Sequence, residues 1–189
     1  MGGLVGPTAF VTAWAVGGTR IDGYSPVNDA ISRLAAVHAP TQALMTGGFV
    51  VFGVGVPLYG LALRRALPGP AWAAAVTTGL ATIGVAAAPL DVSSRVDLVH
   101  GAFASVGYAS LAVLPLLAAG PLEQAGRRRW ATASRVAGIA SGVALVATLA
   151  GSRHGLFQRL GLTIGDAWIV ASAAAIARNR WPAPAKLRP

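Results

Sequence analysis

The sequence predicts an all-α integral membrane protein: a six-helix transmembrane bundle with a short interfacial helix between spans one and two and both termini cytoplasmic. Three observations lead there. The chain of 189 residues is 54% hydrophobic and only 11% charged, with a mean hydropathy of +0.62. Its apolar residues fall in runs that reach or approach the roughly 20 residues a helix needs to cross about 30 Å of hydrocarbon. Its basic residues gather in short clusters between those runs, on alternating sides. One integral membrane domain over 1–189 accounts for the whole length.

The predicted spans are 4–18, 43–63, 71–90, 98–119, 136–151 and 160–177. Each should be helical, because a backbone in hydrocarbon must satisfy its own hydrogen bonds. The first and fifth are short. Met1 to Gly18 has no basic segment ahead of its apolar run, so no cleavable signal peptide is expected. Between spans one and two, Ser25 is placed to cap a helix that begins at Pro26. Val27, Ile31, Leu34 and Ala35 form its apolar face, opposite Asn28, Asp29, Ser32 and Arg33. That pattern predicts a helix in the interface plane, ended by Pro40, with Asp29 and Arg33 four apart and able to pair.

Arg64, Arg65, Arg127, Arg128, Arg129, Arg135, Arg178, Arg180, Lys186 and Arg188 fall on one side; Arg20, Arg33, Arg95, Arg153 and Arg159 fall on the other. Ten against five puts the termini in the cytoplasm of a multi-pass protein of the inner (plasma) membrane. Trp72, Trp130 and Trp181 then mark the cytoplasmic boundary as an aromatic belt. Gly138-xxx-Gly142, Gly101-xxx-Ser105 and the glycines of span two read as close helix packing, and Pro57 and Pro115 as candidate kinks.

Function classes narrow accordingly. The net charge of +9 has no soluble module to form a basic face, which argues against nucleic acid. The absence of cysteine removes disulfides, thiolate nucleophiles and cysteine metal sites. His38, His100 and His154 lie toward one face, but no HxxxH or HExxH spacing exists, so neither metal nor haem nor any other cofactor is expected. No GxSxG, P-loop or dinucleotide fingerprint is present.

The rare acids concentrate on the outer side. Asp97 and His100 are three apart at the start of span four, a spacing at which a carboxylate can orient an imidazole for proton transfer. The competing reading makes Asp97 a helix cap. Asp166 lies within span six, where an acid costs on the order of 3 kcal/mol and so should face a cavity or a partner. Arg159, Thr163 and Asp166 follow one stripe, so Arg159 is its candidate ion-pair partner. Arg153, His154, Gln158 and Arg159 read as a solvated cap. The candidate catalytic residues are Asp166, His100, Asp97 and Asp91, with Asp29, Arg33, Arg95, Tyr108, Arg159 and Thr163 as candidate substrate contacts.

Two segments carry a family resemblance. Tyr24-Ser-Pro-Val-Asn-Asp-Ala-Ile-Ser-Arg-Leu, then Ala-Pro-Leu-Asp91 followed by His100, resembles the bacterial and archaeal integral membrane family catalogued as domain of unknown function 998. The resemblance covers essentially the whole chain. It implies the fold and marks Ser25, Asp29, Ser32, Asp91 and His100 as motif positions, without an activity. The residues themselves support an enzyme acting at the outer side on a hydrophobic lipid or isoprenoid-like substrate, by carboxylate and histidine acid–base or cation-stabilising chemistry. A cyclase or isomerase would fit. A structural or partner-binding subunit and a small proton-coupled transporter are the alternatives. The bilayer is the expected partner; oligomeric state is left open.

Overall fold

The structure is a computed structural model that describes residues 1–181. Lys186 and Arg188, counted above on the cytoplasmic side, lie outside the described residues. The described residues form six α-helices: α1 (Gly2–Gly18), α2 (Gln42–Ala66), α3 (Ala71–Ala87), α4 (Ser94–Gln124), α5 (Arg128–Ala147) and α6 (His154–Ala177). Short 3-10 turns cover Ile31–Ala35 and Thr148–Ala150. No strand occurs among the described residues.

Among the described residues, four helices are long and apolar enough to cross a membrane: α2, α4, α5 with its 3-10 extension, and α6. Helices α1 and α3 have 17 residues each, roughly 25 Å at 1.5 Å per residue, a little short of a bilayer's hydrocarbon. Several helices outrun the predicted spans. Helix α4 starts four residues before 98, because the Ser93 hydroxyl caps it by accepting from the Val96 N–H at 3.3 Å. Helix α5 begins at Arg128, eight residues before 136. A hydropathy window measures the apolar run, and a helix continues past it wherever caps and tertiary contacts permit.

Consecutive helices pack side by side, and α6 closes the ring onto α1 while also touching α2 and α4. Glycines set the closest approaches. A Cβ on Gly79 would strike the Pro57 ring, and one on Gly138 would meet Leu116 and the Ala112 carbonyl, so both positions require a side chain of hydrogen. The Gly138-xxx-Gly142 stripe thus packs α5 onto α4 within the chain. Gly101 differs: nothing lies within 4 Å of its Cβ position, and both it and Ser105 are exposed. That small-residue pair does not pack.

The tryptophan belt is also partly corrected. Trp181 is buried, its ring centroid 5.3 Å from Trp130 and 6.2 Å from Trp168, so it closes an internal aromatic cluster instead of facing lipid. Trp72 stacks under Arg64, 4.8 Å from its guanidinium carbon.

Candidate functional site

One end of the bundle is built around residues 19–41, and the outcome differs from an interfacial helix. Residues 25–29 form a turn in which the Asp29 carboxylate accepts from the Ser25 N–H at 2.7 Å and the Ser25 hydroxyl accepts from the Asn28 N–H at 3.3 Å. A single 3-10 run, Ile31–Ala35, follows, with Ile31 and Leu34 at 1% and 0% exposure. The apolar stripe therefore enters the protein core instead of lying on lipid. Its period was legible; its destination depended on a gap between helices that only packing creates.

Helix α6 and the α3–α4 connection hold this segment. From α6, the Arg159 guanidinium donates to the carbonyls of Pro26 (2.8 Å), Asp29 (2.9 Å) and Gly155 (3.0 Å) and to the Tyr24 hydroxyl. Its guanidinium carbon also lies 5.4 Å from the centroid of the Trp14 ring and 5.5 Å from that of the Tyr24 ring. Burial pushes the Tyr24 phenol above its ordinary value, an effect only partly offset by the Arg159 charge and hydrogen bond. Next along α6, the Gln158 amide oxygen accepts from the Ile31 N–H at 2.7 Å, while its NH2 donates to the Tyr108 hydroxyl. On the opposite flank, Arg33 pairs with Asp91 at 2.9 Å and the Val37 N–H donates to the Leu90 carbonyl at 3.0 Å. Residues 25–37 thus form a strap from α6 to the α3–α4 connection.

Three pairings anticipated from spacing are replaced by these contacts. Asp29 bonds Ser25, and Arg33 reaches Asp91, so the Asp29–Arg33 pair is absent. Asp97 accepts from the Asp91 N–H at 3.0 Å instead of orienting His100, and Ser93 is the cap of α4. Arg159 turns its terminal nitrogens to backbone carbonyls and Tyr24, its Nε has no partner among the described residues, and it makes no ion pair with Asp166. Arg95 and Thr163 are exposed and line neither the cavity nor the cleft described next. Backbone groups are invisible to reasoning about charged residues, and one takes a partner in each of these contests: the Ser25 N–H, the Asp91 N–H and the carbonyls around Arg159.

Under the strap is a narrow cavity of about 50 Å³, walled by Phe10, Phe49, Phe52 and Phe103, with Ser32, Thr78, Thr82, His100, Tyr108 and Gln158 as its polar points. It adjoins a wider cleft of about 480 Å³ between α4 and α5, and the two share Ser32, His100, Ala104, Tyr108 and Gln158. The cleft adds Asp97 and His154 and opens sideways past exposed Gly101, Ser105, Val146 and Leu149. His100 is 5% exposed, with Nδ1 2.7 Å from the Ala88 carbonyl. A carbonyl only accepts, so Nδ1 carries the hydrogen, and in the ring's neutral form Nε2 is left as an acceptor, unbonded among the described residues. Gln158 and His154, read from sequence as a solvated cap, prove to be lining residues. The signal for Gln158 was its place on the 158/162/165/169 face of α6, whose other members are apolar or glycine.

Asp166 is elsewhere. It is 3% exposed, and neither carboxylate oxygen has a partner among the described residues. Arg159, Asp166 and Ala173 repeat every seven residues, two helical turns, down one stripe of α6. Arg159 lies against Trp14 of α1, and a Cβ on Gly3 of α1 would come 2.8 Å from Ala173, so Asp166 faces the middle of α1. It does not line the cavity that holds His100. Asp29, Arg33 and Asp91 border a separate shallow depression above the strap.

No curated protein and no solved structure matches this chain. A family model does, over residues 4–175, and its span takes in the strap, the cavity, the cleft and Asp166. The chain accordingly belongs to the family described as protein of unknown function (DUF998).

Proposed function

We propose that this chain is a six-span enzyme of the cell's inner membrane, with both termini cytoplasmic, that acts on a hydrophobic lipid or isoprenoid-like molecule from its extracytoplasmic half. His100 is the acid–base residue. The carrying observation is that His100, its Nδ1 hydrogen bonded to the Ala88 carbonyl, lines both an aromatic-walled cavity and the wider cleft that adjoins it. A base so placed takes a proton from a bound substrate at Nε2 and returns it at another position, which is the balance of an isomerisation. Gln158 and Tyr108, joined by their own hydrogen bond, hold the substrate's polar group. Acid–base chemistry is favoured over cation stabilisation because the intramembrane carboxylate, Asp166, does not line that cavity.

The test is turnover of a membrane lipid extract by the purified protein, followed by mass spectrometry. Conversion should vanish in His100→Gln and persist in Asp166→Asn, with both variants folded. Loss in Asp166→Asn alone would move the chemistry out of the cavity, and full activity in both would end the reading. One observation favours the transporter alternative. An unpartnered, buried carboxylate is the group that would load and unload a proton. A pH jump across proteoliposomes that drives proton uptake, abolished by Asp166→Asn, would select it.

A further inference from the structure

The ionisable side chains that face the cleft between α4 and α5, Asp97, His100 and His154, turn acceptors to it, and its donors are the neutral ones of Ser32, Tyr108 and Gln158. His100 gives its Nδ1 hydrogen to the Ala88 carbonyl at 2.7 Å. His154 does the same toward the Thr148 carbonyl at 3.1 Å. In their neutral forms both rings therefore offer only an Nε2 acceptor. Asp97 has one carboxylate oxygen engaged with the Asp91 N–H and a second with no partner among the described residues. Tyr108 already accepts from Gln158 and contributes the cleft's phenolic donor. No described arginine lines the cleft or the cavity behind it, although 15 Lys and Arg occur in the sequence. Phosphate and carboxylate heads are recognised by guanidinium, ammonium or arrays of N–H donors. Here an anion would meet Asp97 and, with both rings neutral, two Nε2 acceptors instead.

We propose that the cleft selects membrane-dissolved molecules whose head group donates hydrogen bonds and bears no negative charge, namely a hydroxyl or an amine. Such a head satisfies the acceptors of Asp97, His100 and His154, while its chain passes along the small-residue wall of Gly142 and Ser105. Entry is sideways from the lipid, because the strap closes the end of the bundle above the cavity. This inference rests on the cleft being the substrate site proposed above, and it names that substrate's head chemistry.

The experiment compares oleyl alcohol, oleylamine and oleyl phosphate, which share one chain, by native mass spectrometry of the full protein released from neutral detergent. The alcohol and amine should bind at least about tenfold more tightly than the phosphate. Their binding should be lost in Ser105→Trp, a change at an exposed position that fills the cleft mouth without disturbing the core. Asp97→Asn should lower the amine's affinity relative to the alcohol's. Phosphate binding as tightly as the alcohol, and blocked by Ser105→Trp, would overturn the head-group inference and leave the substrate site standing. Binding of all three probes that ignores both Ser105→Trp and Gly142→Leu, or no binding of any, would overturn both.

Discussion

Replacing Gln158 by leucine separates a residue that organises the site from one that merely fills space. The Gln158 side chain is 3% exposed as a residue and makes two bonds: its oxygen takes the Ile31 N–H at 2.7 Å and its NH2 reaches the Tyr108 hydroxyl. Leucine has similar bulk and neither bond. Ile31 is 1% exposed, so its amide would be left without water or protein acceptor. An orphaned buried donor costs about 1–3 kcal/mol, which corresponds to roughly 5- to 150-fold in an opening equilibrium. Hydrogen exchange of peptides covering 30–36, measured in nanodiscs, should therefore accelerate by that factor. Exchange in the α2–α3 core should stay put, since local opening of the strap does not require global unfolding. Gln158→Glu keeps an oxygen acceptor in either protonation state and should preserve most of the protection at Ile31. If Gln158→Leu leaves exchange within about twofold of the parent, less than the smallest expected penalty, the strap is held by other contacts and Gln158 is only filler.

Gly155→Ala tests the other anchor: its Cβ would collide with the Asp29 and Pro26 carbonyls and with Arg159, so about 1–3 kcal/mol of destabilisation is expected in a thermal unfolding series. Gly101→Ala, with nothing within 4 Å and a place inside α4, is the control that should not destabilise and should gain about 0.5–1 kcal/mol from helix propensity. Tyr24 supplies a pH signature, since burial favours its neutral phenol in the folded state. Its contribution to stability is present below the ordinary phenol value of about 10 and is lost as pH rises through the higher folded value. In a Tyr59→Phe, Tyr108→Phe protein, where Tyr24 is the last of three tyrosines, tyrosinate absorbance should appear above that ordinary value; a midpoint at or below it refutes the assignment. The native chain has no cysteine, so single-cysteine labelling is clean. Gly126→Cys should label only from the cytoplasmic side and Ser152→Cys only from outside, and the reverse pattern would invert the proposed topology.

Apolar run length and the spacing of charges suffice for the class of protein and the approximate place of its helices. Hydrocarbon length and backbone satisfaction are local demands, and any run of apolar residues announces them. The sequence also placed the polar residues at one end of the bundle and identified His100, one turn into an apolar helix, as worth attention. Partnerships were decided only by the tertiary structure. Spacing along one helix suggested Asp29 with Arg33, Asp97 with His100, and Arg159 with Asp166. The folded chain instead gave Arg33 to Asp91, 58 residues away, and Arg159 to carbonyls more than 100 residues away. Two side chains four apart on a helix must first hold their segment helical, and residues 25–29 found a tighter turn that buries Ile31 and Leu34. Likewise, sequence can read that Asp166 and His100 each lie inside an apolar helix, but which wall of the bundle each faces depends on where α1 and α4 dock against α6. That docking is set by glycines and aromatic rings spread over the whole chain, and it puts the carboxylate against α1 and the imidazole at the cleft.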